Sequence, residues 1–518
     1  MKIKNLSTAK CTCHYYVPIG NKIMKKKSPS ENKKYHFIGI GGVGTSGLAM
    51  ILMKEKAHIS GSDMQDSTLL NRLVDSGADV KIGHTAANLP DELDGVVISA
   101  AVRDDNPELL AARQRKIMIY KYAQMLGLVM DRYRGVAISG THGKSTTSGW
   151  LTYVLQKIGL DPNFLIGADV MQLGVSSGLG DSDVFVAEAC EYDRSFLNLH
   201  PKVGVILNIE PDHLDYYSGI GEIVEAFAAF ANNIASDGVL VAGIEDLNAA
   251  KIVAHIAGKK DVFTFGLTES ATFYAKNIEY APDNTSFDCF YKDRLLGRAV
   301  IKLAGEHNVR NALAVLASVE ALGGDTKQAI HALGGFEGMD RRLMKKAEIA
   351  GVTVFDDYAH HPTEIRATLA GIAQKWPKTA LICVFQPHQA QRIRTLFKEF
   401  IGAFNEADIL VLLDVYKVAG RDSSASLPRQ NSRQVRTNRA QSTTKSLSKQ
   451  LTSAIINRQL SKSKNTRLKK VLYLPNPKKL KQVLKNFLRG SALSPCQSAI
   501  VVMMGAGDIY KLTNKLIE

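Results

Sequence analysis

The sequence predicts an α/β protein of three domains, in which apolar strands alternate with helices across glycine-rich loops. Three observations carry that prediction. Two glycine loops each stand between an apolar strand and a helical stretch, and the strand–helix alternation restarts near Gly135 and again near Gly338. The third is length: 518 residues exceed one core at about 150 residues per domain. The boundaries read as a basic extension over 1–34, a first domain over 35–132, a central domain over 133–337 and a third over 338–518.

Residues 1–34 hold nine lysines against Glu31 and are expected to be disordered. In the first domain, Tyr35-His36-Phe37-Ile38 is a strand, a helix runs through Leu48 to Lys54, and Ala57-His58-Ile59-Ser60 and Gly95-Val96-Val97-Ile98-Ser99 are further strands. The central domain shows strands at Val136–Ser139, Val184–Ala187 and Val203–Leu207, all apolar enough to be buried on both faces. The third shows them at Val352–Phe355, Ala380–Phe385, Ile409–Leu413 and Ala499–Met504. Residues 421–470 carry thirteen Lys/Arg against Asp422, among Ser, Thr, Gln and Asn. That composition predicts a solvated, disordered insertion. No internal repeat is visible.

The net charge of +15 belongs to those two basic segments, and the remaining body is mildly acidic. A specific nucleic-acid partner is therefore not expected. No stretch approaches the roughly 20 apolar residues that span a bilayer. The N-terminus lacks the apolar core of a secretory signal, and six scattered cysteines fit a reducing compartment, so the expected location is cytoplasmic. Cys11-x-Cys13-His14 has no second ligand pair nearby and is read as an unpaired cluster.

Chemistry concentrates at the loops. Gly39-Ile40-Gly41-Gly42-Val43-Gly44 satisfies Gly-x-Gly-x-x-Gly, and Asp63 follows at the end of the next strand, where a ribose-binding acid sits in a dinucleotide fold. Alone, this fits NAD, FAD or a nucleotide sugar. Gly140-Thr141-His142-Gly143-Lys144-Ser145-Thr146 departs from a standard P-loop, with Ile138 in place of its first glycine. Its mechanics survive, because Lys144 can reach the β- and γ-phosphates and Ser145 can ligate Mg²⁺. Glu188 ends the strand opposite, where a Mg²⁺-binding acid would stand. Asn208-Ile209-Glu210-Pro211-Asp212-His213-Leu214-Asp215 follows the next strand, at the end where open α/β sheets bind ligands. Two unlike loops imply two nucleotide ligands, one a substrate and one an energy source.

These blocks resemble the Mur ligases. The resemblance rests on Gly140–Ser145, Asn208–Asp215, Gly305-Glu306-His307-Asn308-x-x-Asn311-Ala312 and Asp357-Tyr358-Ala359-His360-His361-Pro362. It runs in order from about 35 to 416 and resumes near 499. It implies a Rossmann-like UDP-binding domain, a central P-loop-type ATPase domain and a C-terminal Rossmann-like domain. His142, Arg341-Arg342, Phe385-Gln386-Pro387-His388 and Met504-Gly505-Ala506-Gly507-Asp508-Ile509 resemble the branch that joins L-alanine to UDP-N-acetylmuramate through an acyl phosphate.

By that resemblance ATP lies on Gly140, Thr141, His142, Gly143, Lys144, Ser145 and Thr146, with Asn308 at the adenine and Arg342 and Asp357 closing from the third domain. Ser145 and Glu188 would hold one Mg²⁺ and His213 another. Gly39, Gly41, Gly42, Gly44 and Asp63 would hold the sugar nucleotide. Tyr358, His360, His388 and Arg392 would line the acyl-phosphate and amino-acid end. Lys144, Glu188, His213, His360 and Arg392 form the expected catalytic set.

Three departures stand out. Residues 214–250 contain no lysine where many relatives carry a carbamylated one, a lack shared with the alanine-adding branch. Gln389 stands where that branch often has arginine, and the insertion at 421–470 is foreign to the family. A recycling ligase joining a murein tripeptide to UDP-N-acetylmuramate remains open as an alternative. So do an NAD(P)-dependent dehydrogenase, which leaves Lys144, Glu188 and His213 unexplained, and a non-catalytic binder.

Overall fold

A computed structural model of the chain describes residues 30–416, 444–460, 466–489 and 498–518. Apolar strand sequences are buried at the centres of three sheets. β1 (Lys34–Ile38), β2 (His58–Asp63), β3 (Asp79–Ile82), β4 (Gly95–Ile98) and β5 (Ile119–Lys121) form an all-parallel sheet in the order 3-2-1-4-5. Chain order reverses beside β1, so the Gly39 loop lies at the crevice where such sheets bind ligands.

The second sheet has ten strands. β6 (Arg134–Ser139), β9 (Val184–Glu188) and β10 (Val203–Ile206) lie side by side in parallel at its centre, with β7 (Asn163–Val170) beyond β9 and β8 (Val175–Gly178) antiparallel to it. β11 (Val239–Gly243) and β12 (Asp261–Gly266) extend the other side. β13 (Phe273–Tyr280), β14 (Thr285–Tyr291) and β15 (Arg294–Ile301) complete it as an antiparallel meander that the periodicity did not reveal. The helix Glu306–Ala321 buries Val309, Leu313 and Leu316 in the core beneath.

The third sheet runs β16 (Met344–Ile349), β17 (Val352–Asp357), β21 (Ala499–Met504), β18 (Ala380–Phe385), β19 (Ile409–Leu412), β20 (Lys470–Tyr473), parallel except for β16. Among the described residues, no helix is long and apolar enough to cross a membrane.

Two expectations are corrected here. Of the extension over 1–34, residues 1–29 lie outside the described residues, but Lys34 opens β1 and Lys33 pairs with Asp94 at 2.7 Å. Of the insertion over 421–470, residues 421–443 and 461–465 lie outside them. The rest is structural: Thr444–Leu460 is a helix, and Lys470 begins β20. Leu447, Leu451 and Ile455 stand at i, i+4 and i+8 and are buried against Phe400, Phe404 and Leu410. One apolar stripe suffices to dock a helix whose average composition is polar.

Leu451→Ala should therefore cost about 2–5 kcal/mol of stability, read by urea unfolding, with Lys449→Ala near neutral. Equal, negligible effects would return this helix to the solvent.

Candidate active site

β6 delivers the chain into Gly140–Gly143, and the helix Lys144–Lys157 follows. Gly143 stands at the helix N-cap with φ +87°, a left-handed conformation that glycine adopts without Cβ strain. Asn208, at the end of β10, clasps the loop: its Oδ1 accepts from the His142 backbone N–H at 2.8 Å and its amide donates to the His142 carbonyl at 3.1 Å. The helix start then presents unpaired backbone N–H groups, a ready anion site.

Lys144 Nζ donates to the Gly140 carbonyl at 2.6 Å and to both carboxylate oxygens of Glu191, at 2.9 and 3.1 Å. Burial disfavours the ammonium, but the Glu191 charge outweighs it and raises the Lys144 pKa. Glu191 also lies 3.6 Å from His213 Nε2, and the Tyr217 hydroxyl donates to its backbone carbonyl at 2.5 Å. Burial lowers the His213 pKa, and His213 Nδ1 is a buried atom without a hydrogen bond. Glu188 stands at the end of β9, where its Oε1 accepts from the Gly167 N–H on β7 at 2.6 Å.

A cavity of about 670 Å³ opens beside this loop, between the second and third sheets. Ser145, Thr146 and Asn308 line it from the central domain; Arg342, Asp357 and Trp376 line it from the third. Asn308 donates to the Ala304 carbonyl at 2.7 Å. Burial pushes the Asp357 carboxyl up to about 6, against Arg342 and against N–H bonds from Ala359 and Leu343. The Arg342 and Arg341 guanidinium groups both lie over the Tyr358 ring, at 4.9 and 5.1 Å, and Arg341 also donates to the Gly505 and Gly507 carbonyls.

A charged seam closes the cavity floor. The His142 ring stands 3.2 Å from Glu364 Oε1 through Nδ1 and 3.4 Å from Glu210 Oε2 through Nε2. Burial alone would lower its pKa, but the two carboxylates raise it to about 9. Glu210 is drawn down to about 2, its burial overcome by His142 and by the Thr363 hydroxyl at 2.6 Å. Arg392 grips Asp212 at 2.9 Å, and this charge holds the Asp212 carboxyl well below the usual range despite burial. Burial drives His360 down to about 3; its Nδ1 faces the Tyr358 carbonyl at 3.0 Å. His388 stacks on Tyr416 at 5.7 Å and lies 6.0 Å from His360. Gln389, at φ +63°, turns the chain into the short helix that carries Arg392.

The first domain's loop lies apart from this cluster. Gly39 has φ +77°, Gly42 caps the helix Val43–Lys54, and Gly44 abuts the Tyr122 ring. Asp63 Oδ2 accepts from the Gly41 N–H at 2.9 Å, so the acid braces the loop. Gly47, one turn along, faces Leu165 of β7 and Ser177 of β8, and a Cβ there would stand 2.4 Å from Leu165.

Family models match the three domains in turn: "Mur ligase family, catalytic domain" over 34–134, "Mur ligase middle domain" over 138–319 and "Mur ligase, glutamate ligase domain" over 341–459. A UDP-N-acetylmuramate–L-alanine ligase of Caldanaerobacter subterraneus is 36% identical over 94% of this chain and 97% of its own. The chain is a Mur ligase. One of the same name from Geotalea daltonii is 43% identical over 74% of the chain and 83% of its own. In fold, this Mur ligase resembles the UDP-N-acetylmuramate–alanine ligase of Thermotoga maritima, with a TM-score of 0.72 at 24% identity over 93% of the chain and 98% of that structure. A murein peptide ligase of Psychrobacter arcticus gives 0.63 at 22% identity, over 94% and 98%.

Of the residues singled out in the sequence, this Mur ligase gathers Lys144 and His213 around one acid, and Ser145, Thr146, Asn308, Arg342 and Asp357 around one cavity. Glu188 sits on the neighbouring strand, and His360, His388 and Arg392 lie along the seam. Glu191 and Glu364 went unassigned. Glu191 lies three residues after Glu188 in the same polar run; Glu364 is the third residue of a helix capped by His361, spaced as a capping box. Both spacings are visible in the sequence, but the partners are not.

The His142 pKa, about 9 against an ordinary 6.5, has a stability consequence. A raised histidine pKa contributes fully below 6.5 and is lost as pH rises through 9. The groups facing it are Glu210, Glu364, His361, His307 and, through Glu364, Arg342. The thermal midpoint should fall between those pH values, and His142→Gln should flatten that fall. A wild-type slope no steeper than the variant's would remove His142 as the linked group.

Proposed function

We propose that this Mur ligase joins L-alanine to the carboxylate of UDP-N-acetylmuramate at the expense of ATP, as the first amino-acid addition to a peptidoglycan precursor. The observation that carries the reading is the glycine loop with Lys144, opening on a cavity shared by two domains. The relatives at 36% and 43% identity bear the same substrates in their names.

In this reading the carboxylate of the sugar nucleotide attacks the γ-phosphorus of ATP, giving an acyl phosphate and ADP. The alanine amine then attacks the acyl carbon, forming the amide and expelling phosphate. Neither step needs a protein nucleophile; both need charge held in place away from water. The loop N–H groups and Lys144 take the phosphates, and Glu191 fixes the lysine until the nucleotide competes for it. Asn308 meets the adenine, and Arg342 and Asp357 close over the nucleotide. Gly39, Gly41, Gly42, Gly44 and Asp63 hold the sugar nucleotide. Arg392, His360, His388 and Tyr358 line the path of the incoming amine. His360, kept neutral by burial, is too weak a base to take the ammonium proton and is suited instead to hydrogen-bond the incoming amine.

The Ser145 hydroxyl and the Glu188 carboxylate are oxygen donors that fit one Mg²⁺, and the unbonded His213 Nδ1 would serve a second. Mg²⁺ bound there would offset the phosphate charge. Free thiols at Cys190, Cys289 and Cys383 accord with a cytoplasmic setting.

Phosphate release should require ATP, Mg²⁺, UDP-N-acetylmuramate and L-alanine together. Lys144→Ala should lower kcat by about 10²-fold or more while circular dichroism stays native. In a competition assay L-alanine should be consumed ahead of an L-Ala-γ-D-Glu-containing tripeptide. Tripeptide preference would assign the chain to peptide recycling instead.

A further inference from the structure

Two imidazoles and a carboxylate converge where the central glycine loop meets the third domain. His142 belongs to the loop after β6, Glu210 to the segment after β10, and His361 caps the helix Pro362–Lys375. One ligating atom from each lies within 4.8 Å of the other two. His142 Nε2 is 3.4 Å from Glu210 Oε2, and His361 Nδ1 is 3.8 Å from the same oxygen. Tetrahedral ligands on bonds of about 2.0–2.2 Å stand roughly 3.4 Å apart. Small inward shifts would close the set.

The surroundings choose which nitrogen of each ring is open. His361 Nε2 faces the Pro211 carbonyl at 3.3 Å; a carbonyl only accepts, so that nitrogen carries the proton and Nδ1 presents its lone pair. His142 Nδ1 faces the Glu364 carboxylate at 3.2 Å and keeps its proton, so a metal would take Nε2 by displacing the second proton that the two carboxylates otherwise hold on the ring. Nε2 is buried and makes no hydrogen bond. An outer acceptor on each ligating histidine is the usual arrangement around protein-bound zinc. The Thr363 hydroxyl, 2.6 Å from Glu210 Oε2, orients the carboxylate. The Thr363 N–H bond to His361 Nδ1, at 3.3 Å, is long and would yield to a metal.

We propose that His142, Glu210 and His361 form a site for a zinc-type transition metal that clips the central domain to the third. Two nitrogens and one oxygen with a fourth position open make a zinc ligand set and a poor one for Mg²⁺, which prefers six oxygens. His142 and Glu210 line the 670 Å³ cavity, so the open position faces the space where nucleotide phosphates would lie. The site is separate from the Ser145, Glu188 and His213 donors, and its test does not depend on ligase activity.

The test is a Co²⁺ titration of the full-length, chelator-treated chain bearing Cys11→Ser and Cys13→Ser, so that the N-terminal thiols do not compete. One equivalent should give visible absorption of four- or five-coordinate Co²⁺. Zn²⁺ should abolish the signal and millimolar Mg²⁺ should not. Glu210→Gln and His361→Ala should each weaken binding more than about tenfold, and Glu364→Gln by about 10–100-fold. His213→Ala should leave it unchanged. Undiminished binding in Glu210→Gln, which preserves side-chain shape, overturns the proposal even if His361→Ala misfolds. So does a signal that disappears in His213→Ala.

Discussion

The pairing of Asp212 with Arg392 is the contact on which the rest of the site depends. One partner follows β10 of the second sheet, the other lies on the helix after β18 of the third, and both side chains are nearly sealed from water. Burying such a pair gains little net energy, but removing one partner leaves an uncompensated charge costing about 3–5 kcal/mol. The two sheets therefore cannot separate slightly. Either the pair is made and the cavity has two walls, or both charges return to water and the cavity becomes an open face.

The same logic orders the charges around that pair. Glu364 lies between His142, Arg342 and the His360 ring, and its carboxyl is held well below the usual range although burial opposes ionisation. Lys144 and His213 share Glu191. Each acid is within reach of more than one base, so a phosphate entering the cavity meets cations already positioned by carboxylates it can displace. In a water-poor site such fixed charges act strongly and need little rearrangement.

Much of the fold was legible because it is written locally. β18 and β21 have the limits that their apolar runs predict, and both glycine loops stand between the strand and helix their spacing demands. The helix Thr444–Leu460 was misread because averaging over a window of Ser, Lys and Gln hid three leucine and isoleucine positions on one face. At the site, Lys144 and His213 were visible from motif chemistry. Glu191 and Glu364 acquire meaning only through tertiary neighbours, Glu364 through His142, which lies 222 residues away. Asp63 was legible as to place, yet its bond to the Gly41 N–H is a loop-bracing contact that no spacing announces.

The close approach at Gly47 makes the first domain part of the catalytic scaffold. The helix that begins at the first glycine loop rests on Leu165, and two residues further along β7 the Gly167 N–H holds Glu188. Leu165 itself is paired on both sides, with Ala187 of β9 and Ser177 of β8, and the ladder to β8 becomes irregular just beyond it. On the proposed function, recognition of the acceptor and alignment of the Glu188 carboxylate beside the nucleotide are two ends of one short linkage. Its fulcrum is a position where a single added methyl group would force the pieces apart.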